Sequence, residues 1–158
     1  YCSGRPCGCC RGSSWTVRCR AYSQAVGNYN AAEEIVGPLR LANLSSLVNI
    51  TDKTIFRRAR HVVSENQRVR DFAAMLRTGD LKSAGNLMIE SHHSLDQDFE
   101  TSTPQINSAV AAAISQPGVY GARMTGGGFG GCIVILADAT ANLDGWQVRA
   151  VNAASQID

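Results

Sequence analysis

The chain has 158 residues, of which 44% are hydrophobic and 18% are charged, a composition typical of one globular domain. Its formal net charge of +2 is too small to indicate a nucleic acid or an anionic membrane as partner. No apolar run approaches the roughly 18 residues of a membrane span, and no secretory signal is visible near the start. We therefore expect a cytoplasmic protein with neither nucleic-acid nor membrane partners.

The first 25 residues differ in composition from the rest of the chain. They carry five of the six cysteines, and no acidic residue precedes Glu33. The cysteine spacing does not give the two C-x2-C pairs of a zinc site, and the remaining chain does not resemble a disulfide-rich secreted protein. Zinc binding, disulfides and a non-native or disordered leader remain alternatives, of which the leader is favoured. The five cysteines are Cys2, Cys7, Cys9, Cys10 and Cys19.

Three segments are expected: a leader at 1–25, a folded domain at 26–138 and an irregular, truncated tail at 139–158. The tail is expected to be irregular because Gly145 interrupts its weak helical pattern and no closing strand follows. Since residue 1 is Tyr rather than Met, the chain is interpreted as a fragment, a processed product or an internal read.

Apolar periodicity predicts two long helices joined by a short turn. The first starts at Asp52 and ends at Thr78-Gly79, and Asp80 is placed to cap the second. The two form an antiparallel hairpin. Their apolar stripes are Ile55, Ala59, Val62, Val69, Ala73 and Leu76 in the first helix, and Leu81, Ala84, Met88, Leu95 and Phe99 in the second.

A third helix and two strands are predicted beyond the hairpin. Residues 102–105 combine a cap, a proline and a glutamine placed for a capping box, and Pro117 stops the helix. Residues 119–124 form a short strand, and the apolar run 132–136 suits a strand buried on both faces. Helices followed by strands in this order predict an α+β fold.

Five glycines surround Phe129 between the two predicted strands. Such a loop is useful where backbone N–H groups must point at an anion or where backbone must approach a ligand closely. A strained turn without a ligand is the alternative. The loop contains G-x-G-x-x-G, but no helix follows, and the Walker pattern is absent from this chain. The glycines are Gly126, Gly127, Gly128, Gly130 and Gly131.

Three strings carry a resemblance to the galactokinase group of the GHMP small-molecule kinases. "GARMTGGGFGGCIV" at 121–134 resembles the third conserved motif of that family. "ESHHSLDQDFETSTPQIN" at 90–107 is similar to the segment reading ESH-x-SL-x-x-DFE-x-S-x-P, and "RRARHVVSEN" at 57–66 resembles the preceding helix. The three occur in the family's order.

The resemblance implies part of the family's C-terminal domain, a helical hairpin and a third helix packed on a small antiparallel sheet. Galactokinases transfer the γ-phosphoryl group of Mg-ATP to the C1 hydroxyl of galactose, in a cleft between two domains. Galactose and ATP are thus the implied ligands, with Mg²⁺ as cofactor. Residues implied to line the cleft beside sugar and phosphates are Thr125, Gly126, Gly127, Gly128, Phe129, Gly130 and Gly131.

Two further residues are candidates for the site. Tyr29-Asn30 resembles the family's "EYN" element, whose tyrosine contacts the sugar. Arg123 is either a stabiliser of charge on a transferring phosphoryl group or a member of a surface ion pair.

Catalytic and metal-binding residues are not expected in this chain. The family's G-E-H-x-D-Y and G-L-S-S-S strings are not found, and the catalytic Asp belongs with them in the N-terminal domain. That domain is the implied partner, and the chain alone is expected to be inactive and marginally stable.

Other polar residues are interpreted structurally. His92 and Asp96 are read as a helix-surface pair, or His92 as a residue at the core edge. His93, Asp96 and Asp98 are read as a solvated face. Asn66 is read as a buried, hydrogen-bonded residue, and Cys132 as a small apolar residue of a buried strand.

Three alternatives to a galactokinase stay open. One is a relative that senses galactose and ATP without turnover, and another is the remnant of a broken gene. Within the enzyme class, a kinase for N-acetylgalactosamine or another sugar would share the third motif.

Overall fold

The computed structural model describes residues 13–128 and 132–146. Four helices precede two strands, which confirms the α+β class. No helix in the described ranges is long and apolar enough to cross a membrane. In chain order the elements are α1 (Ser13–Val36), a 3-10 helix (Leu44–Asn49), α2 (Lys53–Thr78), α3 (Leu81–Gln97), α4 (Pro104–Ile114), β1 (Val119–Thr125) and β2 (Cys132–Ala137).

Helix α1 differs from the sequence expectation. The structure has a helix from Ser13, so the expected boundary at residue 25 falls inside a helix. No periodic signal predicted this helix, because the segment lacks a clear apolar stripe. Its alanine, glutamine and glutamate residues still favour helix by intrinsic propensity. Residues 1–12, with four of the five leader cysteines, lie outside the described ranges.

The helical hairpin forms where the capping residues predicted it. The Asp52 carboxylate accepts hydrogen bonds from the backbone N–H of Thr54 (2.8 Å) and Ile55 (2.9 Å) at the start of α2. Gly79 ends that helix at φ +75°, a left-handed conformation that costs glycine little. Asp80 then caps α3 by accepting from the N–H of Ser83 at 3.0 Å.

Helix α4 begins one residue later than the capping-box prediction requires. Thr103 is the cap, and its hydroxyl accepts weakly from the N–H of Ile106 at 3.3 Å. Gln105 is therefore one position short of the place where it could complete a capping box. The Ser102 hydroxyl instead donates to the side chain of Asn107 at 2.6 Å.

Strands β1 and β2 form an antiparallel pair in which Ala122 faces Ile135 and Met124 faces Ile133. The prediction that β2 is buried on both faces is wrong for the described residues. Exposure alternates along the strand, and Val134 is 46% exposed. One face of the pair packs on α3 and α4, whereas the Val134 face is only partly covered by α2 and α3.

Two apolar cores hold the fold. The N-terminal core joins α1, the 3-10 helix and α2, and the C-terminal core joins α3, α4 and the strands. Buried members of the first are Ala32, Leu39, Leu47, Ile50, Ala59 and Val63. Those of the second are Leu95, Ile106, Val110, Ala113, Ala122 and Met124.

Two glycines let α3 approach β1 closely. A Cβ atom added to Gly85 would overlap the backbone of Tyr120, and one added to Gly121 would overlap the backbone of Gly85. Any larger residue at either position would push the helix from the strand. This contact sets the position of α3 beside the strand that leads into the glycine loop.

Candidate functional site

The glycine loop leaves β1 at Thr125, which is exposed. Gly126 and Gly128 have φ values of +91° and +82°, a conformation that side chains with a Cβ rarely adopt. Gly127 needs no such conformation and has open space around it. Of the predicted loop residues, Phe129, Gly130 and Gly131 lie outside the described ranges.

Gly128 rests against Thr101, in the turn between α3 and α4. A Cβ atom on Gly128 would lie 2.6 Å from the Thr101 Cβ and 2.7 Å from its carbonyl oxygen. Thr101 is only 3% exposed, and its N–H donates to the Leu95 carbonyl at 3.0 Å. The glycine loop is thus seated on a fixed turn, and only glycine fits at this contact.

Three arginines of α2 hold that turn. Arg57 pairs with Glu100 at 2.6 Å and Arg58 with the same carboxylate at 2.5 Å. Arg60 pairs with Asp98. Arg58 also donates to the backbone carbonyl of Asp98, and its side chain is 9% exposed. Since both acidic residues are engaged, the interpretation of Asp98 as part of a solvated face is wrong.

The carboxyl groups of Asp98 and Glu100 in this turn have lowered pKa values, so they stay ionised to lower pH than usual. Hydrogen bonding from Arg58 lowers the pKa of Glu100, against a smaller effect of burial. Burial acts to raise the pKa of Asp98, but hydrogen bonds from Arg60 and Ser94 and nearby positive charge outweigh it, so the net shift is downward. The ion pairs therefore persist at neutral pH.

His61 lies beneath the same turn. Its Nδ1 is 2.9 Å from the Ser94 hydroxyl, which donates to Asp98 at 3.0 Å, so Nδ1 is the donor of the pair. Its ring stacks on Phe99 with centroids 4.6 Å apart. Burial lowers the pKa of His61 to about 4 from 6.5, because the charged form loses its hydration. His61 is therefore neutral and structural at physiological pH.

His92 lies in the interior, 8% exposed, rather than on the helix surface. The backbone N–H of Met124 in β1 donates to its Nδ1 at 3.4 Å, and burial lowers its pKa. Asp96 accepts from the Asn107 amide at 2.8 Å instead of pairing with His92. His93 is exposed, as expected.

Arg123 forms an ion pair. Its guanidinium lies 3.3 Å from Glu65, which also pairs with Arg68 and accepts from the Ser91 hydroxyl at 2.6 Å. Beside this group opens a groove of about 290 Å³ between α2, α3 and the strands. Residues lining it include Phe72, Met88, Ser91, Thr125 and Val134.

Tyr29 is placed in the other core. Its hydroxyl donates to Glu33 at 2.8 Å, one turn along α1, and its ring packs against the N-terminal core. The Glu33 carboxylate also accepts from the N–H of Leu39 at 2.8 Å. Among the described contacts of Tyr29, none reaches the glycine loop, so the structure does not bring these two predictions together.

Two other interpretations can be compared with the structure. Asn66 is half-buried and donates to the Leu39 carbonyl at 3.4 Å, close to the buried, hydrogen-bonded role expected of it. Cys132 is exposed, so its reading as a buried residue is wrong. The reason is that its side of the β2 strand is only partly covered by α2 and α3.

Two sets of contacts were not predicted from the sequence. One is the ion pairs of Arg57, Arg58 and Arg60 with the turn after α3, and the other is the close approach of Gly85 to β1. No role was predicted for these arginines. A usable signal was present, because "RRAR" at the start of one helix lies opposite "DFE" at the end of its antiparallel partner. For Gly85, the signal was a helix-breaking residue next to the buried stripe position Ala84.

Within residues 13–128 and 132–146, no three His, Cys, Asp or Glu side chains converge as they would around a metal ion. The described residues therefore offer no ready set of ligands for Mg²⁺.

Residues 72–145 match the family model described as GHMP kinases C terminal. The chain is 48% identical to galactokinase from Bos taurus over 124 residues, 78% of this chain and 30% of that protein. It is 46% identical to galactokinase from Homo sapiens over 132 residues, 82% of this chain and 32% of that protein. The chain thus spans about a third of the length of these relatives.

A solved structure gives the same result. Lactococcus lactis galactokinase complexed with galactose superimposes with a TM-score of 0.64 at 30% sequence identity, covering 85% of this chain and 35% of that one. Together with the matches in sequence, this confirms the resemblance carried by the three strings.

Proposed function

Because the chain belongs to the GHMP kinase family, as part of its C-terminal domain, we propose that it is the C-terminal portion of a galactokinase. The complete protein would transfer the γ-phosphoryl group of ATP to galactose. This portion would contribute one wall of the cleft in which that transfer takes place.

One observation carries the proposal. The two strings that resemble galactokinases most strongly, at 90–107 and 121–134, meet in space where Gly128 rests on Thr101. A glycine loop held open on a fixed support suits a site that must approach a ligand with backbone alone. The relatives at 46–48% identity supply the substrate class.

Residues 125–131 are proposed to line the cleft beside sugar and phosphates. Gly126 and Gly127 have no atom within 4 Å of an added Cβ, so their backbone is open to a ligand on that side. Preorganised N–H groups would stabilise negative charge on the transferring phosphoryl group. ATP binding is proposed for the complete protein, and the Mg²⁺ ligands and catalytic Asp for the part outside this chain.

The two other candidate residues fit less directly. Arg123 is paired with Glu65, which it shares with Arg68, so its proposed role is to hold β1 against α2 next to the loop. Tyr29 would need to reach a sugar from the N-terminal core, where its hydroxyl is occupied by Glu33. We keep Tyr29 as a sugar contact only for the assembled protein.

A hybrid protein tests the function. Residues 52–138 would replace the matching segment of the Bos taurus galactokinase, and ADP release would be measured with galactose, N-acetylgalactosamine or no sugar. Galactose-dependent release is expected. A preference for N-acetylgalactosamine would favour the alternative kinase, and a folded hybrid that binds galactose and ATP without turnover would favour a sensor.

A further inference from the structure

Glu100 has an unusual backbone conformation. Its φ is +55°, and it is the one non-glycine residue with a positive φ among residues 13–128 and 132–146. A side chain in this left-handed region is strained and persists where surrounding contacts impose it. The side chain is 46% exposed, so burial in the core does not impose it.

Two ion pairs and one backbone hydrogen bond surround this residue: its carboxylate pairs with Arg57 and Arg58, and the N–H of the following Thr101 donates to the Leu95 carbonyl at 3.0 Å. Arg57 lies 2.6 Å from one carboxylate oxygen of Glu100, and Arg58 lies 2.5 Å from the other. Arg58 is almost fully buried and also donates to the Asp98 carbonyl, so this one side chain of α2 holds the turn at two points. The turn is therefore fixed relative to α2, more than forty positions earlier in the chain.

The next residue transmits this placement to the loop. Thr101 directly follows Glu100, and its Cβ and carbonyl oxygen form the surface on which Gly128 lies. The contact involves backbone and Cβ atoms, so what matters is where the Thr101 backbone sits. Rotation of Glu100 out of its left-handed conformation would move that surface.

We infer that Glu100 is a positioning residue for the glycine loop, acting through its ion pairs with Arg57 and Arg58 and through the placement of Thr101. The inference rests on the proposed function in that the loop is taken to line the substrate cleft. Glu100 is not assigned any contact with substrate.

The test uses the 158-residue chain and the amide signals of Gly126, Gly127 and Gly128 in ¹H–¹⁵N spectra. Solvent exchange of these amides is measured by transfer of magnetisation from water, with Ala122 in β1 as internal reference. The variants are Glu100→Ala and the milder Arg57→Ala, whose side chain is half-exposed. Glu100→Gln removes the charge but keeps the shape: its single amide oxygen can accept from one arginine, and its NH₂ group leaves the other arginine without an acceptor.

Glu90→Ala is the matched control, since Glu90 is an exposed α3 glutamate 3.7 Å from Arg68 and away from the turn. In Glu100→Ala the signals of the loop amides should shift, and their exchange with solvent should be about tenfold faster. In Arg57→Ala the exchange should be about threefold faster, because the ion pair with Arg58 is kept. Glu100→Gln should give an intermediate increase, and Glu90→Ala should stay within about twofold of the unaltered chain.

Two results would overturn the inference. One is that Glu100→Ala and Arg57→Ala move the signals of residues 98–101 but leave those of the loop unchanged. The other is that Glu90→Ala disturbs the loop as much as Glu100→Ala. Because the readout requires no turnover, an inactive hybrid would count against the proposed function without affecting this inference.

Discussion

The molecule uses glycine for different reasons in two neighbouring regions. At Gly85 and Gly121 the backbone of α3 and that of β1 meet so closely that no Cβ fits between them. In the loop, Gly126 and Gly128 need positive φ, and Gly127 needs neither space nor a special conformation. The first region is a packing contact that sets the fold, and the second is a shaped backbone surface that faces outward.

This difference explains why only one region was found from sequence. Five glycines in six positions are conspicuous, whereas Gly85 is one residue in an otherwise ordinary helix. A substitution should also have different effects in the two regions. Two of the four predictions below test this difference, and the other two concern His61 beneath the turn and Cys132 in β2.

The largest effect is expected at the packing contact. Gly85→Ala should reduce the free energy of unfolding by on the order of 4 kcal/mol, because backbone atoms of α3 and β1 would have to separate. Gly27→Ala in α1 is the control, since nothing lies within 4 Å of an added Cβ there. Alanine should stabilise that helix by about 0.5–1 kcal/mol. Thermal or denaturant unfolding measures both, and equal effects at the two positions would contradict the comparison.

The second largest effect is expected from acidification, which should destabilise the packing of His61 beneath the turn of residues 98–101. His61 has a pKa of about 4 in the folded chain and near 6.5 when unfolded, so the unfolded state binds more protons between these values. Stability should therefore fall as pH drops from about 6.5 towards 4, by at most about 3 kcal/mol. Asp98 and Glu100, whose pKa values are lowered, lose their contribution only at lower pH.

His61→Gln is the matching variant for the acid effect, since the glutamine amide can still donate to Ser94 but does not titrate. Denaturant unfolding between pH 7 and pH 4.5 should give a flatter stability profile for this variant. An unchanged profile would show that His61 is not the group responsible.

Within the loop, Gly128→Ala and Gly127→Ala form a matched pair. Gly128→Ala should cost about 1–3 kcal/mol, because it combines a positive φ of +82° with overlap on Thr101. Gly127→Ala should lie within about 0.5 kcal/mol of the unaltered chain. The free energies of unfolding decide this, and a costlier change at Gly127 would contradict the described loop geometry.

The smallest effect is expected at Cys132. Because the side chain is exposed at the start of β2, Cys132→Ser should change stability by no more than about 0.5 kcal/mol. A loss above about 2 kcal/mol in denaturant unfolding would mean that this side of β2 is covered after all.

The sequence predicts the helices and the loop well because each is specified locally. Asp52, Gly79 and Asp80 act on residues within a turn of themselves, and their capping roles are confirmed. What lies far apart in the chain was not predicted. The exposure of β2 depends on which elements cover its second face, and the role of Arg58 depends on Glu100 forty-two positions away.

Helix α1 and the support of the glycine loop on Thr101 were also not predicted from the sequence. Without an apolar stripe, α1 gave no periodic signal, and its residues favour helix only by propensity. The glycine loop was identified as the site feature, but its support on Thr101 required the fold. Resemblance supplied the substrate class, which neither periodicity nor spacing could provide.

The most direct measurement is galactose-dependent ADP release by the 158-residue chain alone, with ATP and Mg²⁺ present. A cooperative thermal transition should first show that the chain is folded, and the intact Bos taurus galactokinase serves as positive control. We predict no galactose-dependent release, since this chain carries the glycine loop and the catalytic Asp is proposed to lie in the part outside it. Sustained turnover by the folded chain would contradict that assignment.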